Sequence, residues 1–191
     1  MNSSIRWRIV TLQVVMILVL GFCAGFLFYQ GNFVTTTVHD ELVAQKISFP
    51  AASQVKLGGA LDPTVYPTEL TSLAGQPVDN GDKARIYAND FIGHHLEGVA
   101  SGLTYSQVSS LANAHPTNAT LQAQVATLFK GEMLRASLLN SYGWWTTGVY
   151  ATYAGIGLLI AALGVLGALI YELLVAGRKP QVIKVAQKLA A

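Results

Sequence analysis

The uncharged run from Ala136 to Tyr171 constrains this chain more than any other stretch. From about Thr147 to Ile170 it is apolar and holds no Asp, Glu, Lys or Arg. About 20 such residues are enough for a helix to cross the hydrocarbon of a bilayer. A helix in a soluble core needs neither that length nor that uniformity. Composition agrees, because 52% of the 191 residues are apolar and only 12% are charged, about half the charged share of an ordinary soluble domain.

A second apolar run opens the chain. Arg6 and Arg8 precede an uncharged stretch from Ile9 to Val38 that is strongly apolar through Tyr29. It exceeds the apolar core of roughly 7 to 15 residues expected of a signal peptide, and no Ala-x-Ala triplet follows it. Phe22 also stands where a lipoprotein would need a small residue before Cys23. The run therefore reads as an uncleaved first span, and the lone cysteine excludes an internal disulfide.

Charge placement predicts orientation. Arg6 and Arg8 lie before the first span, and Arg178, Lys179, Lys184 and Lys188 follow the second. The segment between the spans holds nine acids against six bases, and the remaining acid, Glu172, lies at the inner edge. The positive-inside rule then puts both termini in the cytoplasm. The expected layout is a cytoplasmic N-terminus over 1–8, a first transmembrane helix over 9–29 and an extracytoplasmic helical domain over 30–145. A second transmembrane helix over 146–171 and a basic cytoplasmic tail over 172–191 complete it. Aromatic residues at the expected outer boundary (Phe28, Tyr29, Tyr142, Trp144, Trp145) and inner boundary (Trp7, Tyr171) fit this placement. The small, scattered net charge of +2 argues against a nucleic-acid partner.

The fold class expected is all-α, with helices continuing out of the membrane. The first helix should run past the bilayer with Val38, Leu42 and Gln45 on one stripe and stop at Phe49-Pro50. Residues 50–81, rich in Pro and Gly, read as a loop, part of it mobile or lying across the helices. Asp79, Asn80 or Asp82 can cap a helix through Ala100 with Tyr87, Phe91, His95 and Val99 on its apolar stripe. Gly102 ends it. Thr104 and Gln107 fit a capping box for a helix to about Ala114 that turns Val108 and Leu111 inward. His115-Pro116 stops that helix. Asn118 can cap the last one, which carries Leu121, Val125, Leu128, Phe129, Leu134 and Leu138 at helical spacing and is expected to extend from about Thr120 into the second span, either straight or with a bend near Gly131 or Gly143.

Four blocks carry a resemblance: Ala44 to Pro50 (AQKISFP), Tyr87 to Leu96 (YANDFIGHHL), Thr104 to Ser106 (TYS) and Leu128 to Asn140 (LFKGEMLRASLLN). They resemble a family of two-span actinobacterial membrane proteins. The resemblance covers most of the chain, implies a two-span layout in a bacterial plasma membrane, and brings no activity with it. Some members of that family are named after the small subunit of an aromatic-ring-opening dioxygenase, and no residue pattern here supports that chemistry.

Two polar groupings and two small-residue stripes are candidate sites. Asp90, His94 and Glu97 share a face if the helix is regular, with His95 beside them, and imidazole plus carboxylate suits a divalent metal. A solvated polar face explains the same residues, and the pattern is not that of a zinc hydrolase. Glu132 and Arg135 form an i, i+3 pair in an otherwise apolar stretch, suited to a structural tie or to docking of a partner. Gly21 and Gly25 in the first span, and Gly157 with Ala161 and Gly164 with Ala168 in the second, let helix backbones approach closely, within one chain or between subunits. No catalytic triad, phosphate loop, cofactor fingerprint or redox cysteine pair is legible. The expected function is therefore a non-enzymatic accessory or assembly subunit of a membrane or envelope complex, partnered by the bilayer and by another protein or a second copy. The alternative is an extracytoplasmic metal-binding protein.

Overall fold

The structure, a computed structural model, describes residues 3–176. The predicted basic tail beyond 176, with Arg178, Lys179, Lys184 and Lys188, lies outside the described residues. The fold is all-helical, with two long apolar helices. Among the described residues the sole extended pairing is an antiparallel bridge between Ser48 and Pro77.

Helix α1 spans Ser3–Gln45 and α6 spans Ala119–Tyr171, with a short π-helical turn over Glu172–Ala176. Between them come α2 (Thr68–Thr71), α3 (Gly81–Ile86), a π-helical stretch over Tyr87–Gly93, α4 (His94–Val99) and α5 (Tyr105–Ala114). The described residues divide into two units: 3–32 with 149–176, and 33–148.

In the first unit α1 and α6 meet along a seam of small residues. Ala24 is almost fully buried, and a Cβ added at Gly155 would stand 3.3 Å from the Ala24 carbonyl oxygen. Ala162 and Leu169 continue the buried row on α6. At one end Arg6 Nε meets a Glu172 carboxylate oxygen at 3.2 Å, and Arg6 Nη2 donates to the Glu172 carbonyl at 3.2 Å. The stripes picked out from sequence lie elsewhere: Gly21, Gly25, Gly157 and Gly164 have open space where a Cβ would go, and Ala161 and Ala168 are exposed.

The second unit has a core of its own, in which Leu42, Leu61, Leu70, Val78, Val108, Leu128 and Leu138 are the largest fully buried side chains. Helix α1 ends at Gln45, short of the Phe49-Pro50 stop expected. Lys46 takes a left-handed φ of 54°, and the next residues are drawn into extended pairing: Phe49 N–H donates to Gln76 O at 2.9 Å and Val78 N–H to Ile47 O at 2.9 Å. Leu42 is buried as expected, whereas Gln45 is exposed.

The Pro- and Gly-rich segment forms a closed, packed loop. The backbone bonds just described, with Gly75 N–H to Pro50 O at 2.8 Å, fasten its neck, and Leu61, Tyr66 and Leu70 bury inside it. The Asp62 carboxylate organises one bend by accepting from Gly58 N–H (2.6 Å), Thr64 N–H (2.9 Å) and the Thr64 hydroxyl (2.7 Å). These bonds, that from Gly58 foremost, hold its pKa below the ordinary 3.8. His39 Nδ1 donates to Asp79 O at 2.7 Å and ties the far end of the loop to α1.

Caps fall where sequence placed them. Asn80 accepts from Lys83 N–H, Thr104 and Gln107 form a reciprocal box, and Asn118 accepts from Leu121 N–H. The faces differ by a residue or so. Along the segment 81–100 a buried row runs through Ala84, Ala88, Ile92, Leu96 and Ala100, with Gly81 and Ile86 also buried, Tyr87, Phe91 and Val99 flanking and His95 exposed. A strict α-helix overshoots a full turn by about 40° every four residues, so a four-residue repeat would wind off the core. The wider i→i+5 turn at Tyr87–Gly93 takes up that drift. In α5 Ala112, not Leu111, joins Val108 in the core, and on α6 Phe129 and Leu134 are exposed while Leu128 and Leu138 are buried.

Two glycines permit close approach inside this unit. A Cβ at Gly131 would collide with the Leu96 side chain, and one at Gly81 with the Trp145 side chain. Two glutamines of α6 satisfy the ends of other helices: Gln124 Nε2 donates to Val99 O at 3.0 Å and Gln122 Nε2 to Ala112 O at 3.2 Å.

Candidate functional site

A polar hollow of about 260 Å³ lies in the second unit, walled by Asn89, Glu97, Thr104, Tyr105, Glu132 and Arg135 over a floor of Leu96, Leu103 and Leu128. Its centre is Arg135. The guanidinium donates through Nε to Ala88 O at 3.1 Å, through Nη1 to both Glu132 carboxylate oxygens at 3.2 and 3.0 Å, and through Nη2 to Asn89 Oδ1 at 3.4 Å.

The π-helical stretch prepares this contact. Where bonding widens to i→i+5, carbonyls are displaced from their α-helical partners and can accept from outside the helix. Ala88 O is turned to Arg135 in this way, beside Gly93, where a Cβ would stand in ordinary van der Waals contact 3.7 Å from the guanidinium carbon. The Glu132–Arg135 pair is thus a tie between α6 and the π turn. The guanidinium is engaged within the protein, and on the wall of the hollow the Glu97 carboxylate is more exposed than that of Glu132.

The candidate metal ligands are placed differently from the sequence expectation. Among the described residues no group of three or more His, Cys, Asp or Glu side chains gathers as a metal site would require. The premise of a shared face for Asp90, His94 and Glu97 was regular α-helical spacing, and Asp90 falls within the π turn whereas His94 and Glu97 lie beyond it. His94 Nδ1 and Glu97 Oε2 approach to 3.9 Å on the surface. His95 Nδ1 donates to Phe91 O at 2.8 Å, which leaves only Nε2 as a lone-pair donor.

Both histidines instead surround Tyr66. The Tyr66 ring meets His94 edge-on at 5.0 Å and stacks with His95 at 6.4 Å, and its hydroxyl lies 3.4 Å from His95 Nδ1. Phe91, 4.5 Å from His95, links this group through Tyr87 to Phe49. Burial pushes the phenols of Tyr66 and Tyr87 above their usual 10.0. The arrangement clasps the closed loop to the 81–100 helices.

Sequence reasoning singled out Glu132, Arg135 and Glu97 but missed Ala88, Asn89, Tyr66 and Tyr105. An alanine carbonyl carries no side-chain signal, and Tyr66 sits in a stretch without periodicity. Comparison with protein-family models, with curated proteins and with solved structures finds no match to this chain.

Proposed function

We propose that this chain is an integral protein of a bacterial plasma membrane that crosses it twice, with both termini cytoplasmic. Residues 30–145 lie outside as a helical domain, and the protein works without chemistry of its own, as an interaction or assembly subunit of a larger membrane or envelope complex. The observation that carries this reading is the uncovered surface of the two long helices. Their most apolar windows have mean hydropathies of 2.4 and 2.3, yet only 11% and 17% of those windows is buried. A soluble core helix of that composition would be mostly covered.

The small-residue stripes Gly21/Gly25, Gly157/Ala161 and Gly164/Ala168 stand off the seam that α1 and α6 make with each other. They are available for helices from outside the chain, where close backbone approach replaces the hydrophobic effect as the source of association. At about 1.5 Å per residue, α1 and α6 are each about twice as long as a bilayer's hydrocarbon is thick, or longer. That length suits helices that also belong to a domain beyond the bilayer. The sequence resemblance to two-span actinobacterial proteins supports the same layout.

Extraction in mild detergent at native expression, followed by cross-linking, tests the proposal. A stoichiometric partner or self-oligomer is expected, weakened by Gly21→Ile or Gly157→Ile. A lone monomer would refute the assembly role. Reporter fusions that place residue 90 in the cytoplasm would refute the orientation.

A further inference from the structure

A groove of about 320 Å³ runs between residues 33–41 of α1 and 140–144 of α6, all of them in the second unit. Phe33, Val34, Val38 and Trp144 make its walls apolar, and Trp144 is 56% exposed. Its polar residues divide into two kinds. The hydroxyls of Thr37 and Ser141 are spent on their own helices, donating to Phe33 O at 2.8 Å and Ser137 O at 3.2 Å. The Glu41 carboxylate and the Asn140 amide have no side-chain hydrogen bond or ion pair among the described residues.

Polarity changes in the same sense on both walls. On α1 Phe33 follows the first apolar run by one turn, and Glu41 stands two turns further from it. On α6 Trp144 precedes the second apolar run, and Asn140 stands one turn further from that run. Aromatic and aliphatic surface therefore lies toward the spans and uncommitted polar groups lie away from them. That is the order of parts in a membrane lipid, tail then head. Only one charge lines the groove, and it is negative.

We infer that the groove holds one phospholipid with a primary-amine head group, of the phosphatidylethanolamine kind. An acyl chain packs on Phe33, Val34, Val38 and Trp144, the ammonium donates to Glu41, and the Asn140 amide donates to a phosphate or ester oxygen. An anionic head without an amine meets repulsion at Glu41. A quaternary ammonium has no N–H to give. The inference rests on reading the two long helices as membrane spans.

The test uses the full-length protein, purified in detergent, stripped of lipid and titrated by native mass spectrometry with dioleoyl phosphatidylethanolamine, phosphatidylglycerol and phosphatidylcholine in turn. One phosphatidylethanolamine is expected to bind about tenfold more tightly than phosphatidylglycerol, the scale of one charge-assisted hydrogen bond. Glu41→Gln is expected to abolish that preference, Asn140→Ala to weaken it, and Asp40→Asn, one residue outside the groove lining, to leave it unchanged. Equal binding of the lipids, or a preference that survives Glu41→Gln, would overturn the inference. Alkaline extraction of membranes separates the two readings. Release of the protein into the soluble fraction removes the spans, whereas retention in the pellet without a lipid preference removes only the groove's occupant.

Discussion

The Arg135 guanidinium donates to the Ala88 carbonyl at 3.1 Å across a sequence separation of 47 residues, joining the last helix to the π turn. Arg135→Met leaves Ala88 O and Glu132 without their donor. A hydrogen bond from a charged group contributes about 1.5–3 kcal/mol, and a loss of that order is expected in thermal or denaturant unfolding. Hydrogen exchange should rise first over Tyr87–Gly93. Arg135→Lys should recover little, because one ammonium cannot serve three acceptors placed for a planar fork.

Gly131→Ala and Gly81→Ala force a methyl against Leu96 and Trp145, and each should cost about 1–3 kcal/mol in stability. Gly98→Ala provides the contrast. Its position in α4 is open and has no positive φ, so the same change there should stabilise by roughly 0.4–1 kcal/mol. Unfolding midpoints of the three variants, measured side by side, decide the matter.

Stability should fall at both ends of the pH scale for separate reasons. The Asp62 carboxylate has a folded pKa below 3.8. Its contribution is complete above that value and is lost as pH falls through the lower folded value. The Tyr66 and Tyr87 phenols are raised above 10.0, so their contribution is complete below pH 10 and is lost as pH climbs through the folded values. Asp62→Asn should flatten the acid limb of a stability profile and Tyr66→Phe the alkaline limb, with neither altering the other.

Gly155→Leu should separate the internal seam from external assembly. Its side chain would press on the Ala24 backbone, which cannot rotate away as a side chain would. Destabilisation of the isolated chain is expected, seen as a lower melting temperature in detergent. Gly157→Ile, in open space on α6, should leave that temperature nearly unchanged while reducing cross-linked species.

The long helices were legible because charge-free runs of such length have few other fates, and the caps at Asn80, Thr104 and Asn118 because capping is local chemistry. The helix faces were less so. Reading Tyr87, Phe91, His95 and Val99 as the apolar stripe set it one residue off the buried row of Ala88, Ile92, Leu96 and Ala100, and nothing in the sequence announces a π turn. The burial of Leu61, Tyr66 and Leu70 was hidden because a closed loop has no period to detect. The Gly21 and Gly25 stripe could not be told from the Ala24 seam, since both offer small residues at suitable spacing. Glu132 and Arg135 stood out as charges in apolar surroundings, whereas their acceptor at Ala88 is backbone and leaves no mark.

The π turn also sets a phase. Each residue added to or removed from a helix turns everything beyond it by about 100°. Plain α-helical bonding imposed on Tyr87–Gly93 at unchanged length would therefore swing Leu96 out of the space above Gly131 and turn Ala100 from the core, with every side chain still present, whereas removal of one residue together with the π bonding would keep both nearly in phase. The extra width of that one turn works as a vernier between the first half of the segment and the second, absorbing one residue without turning α4 away from α6.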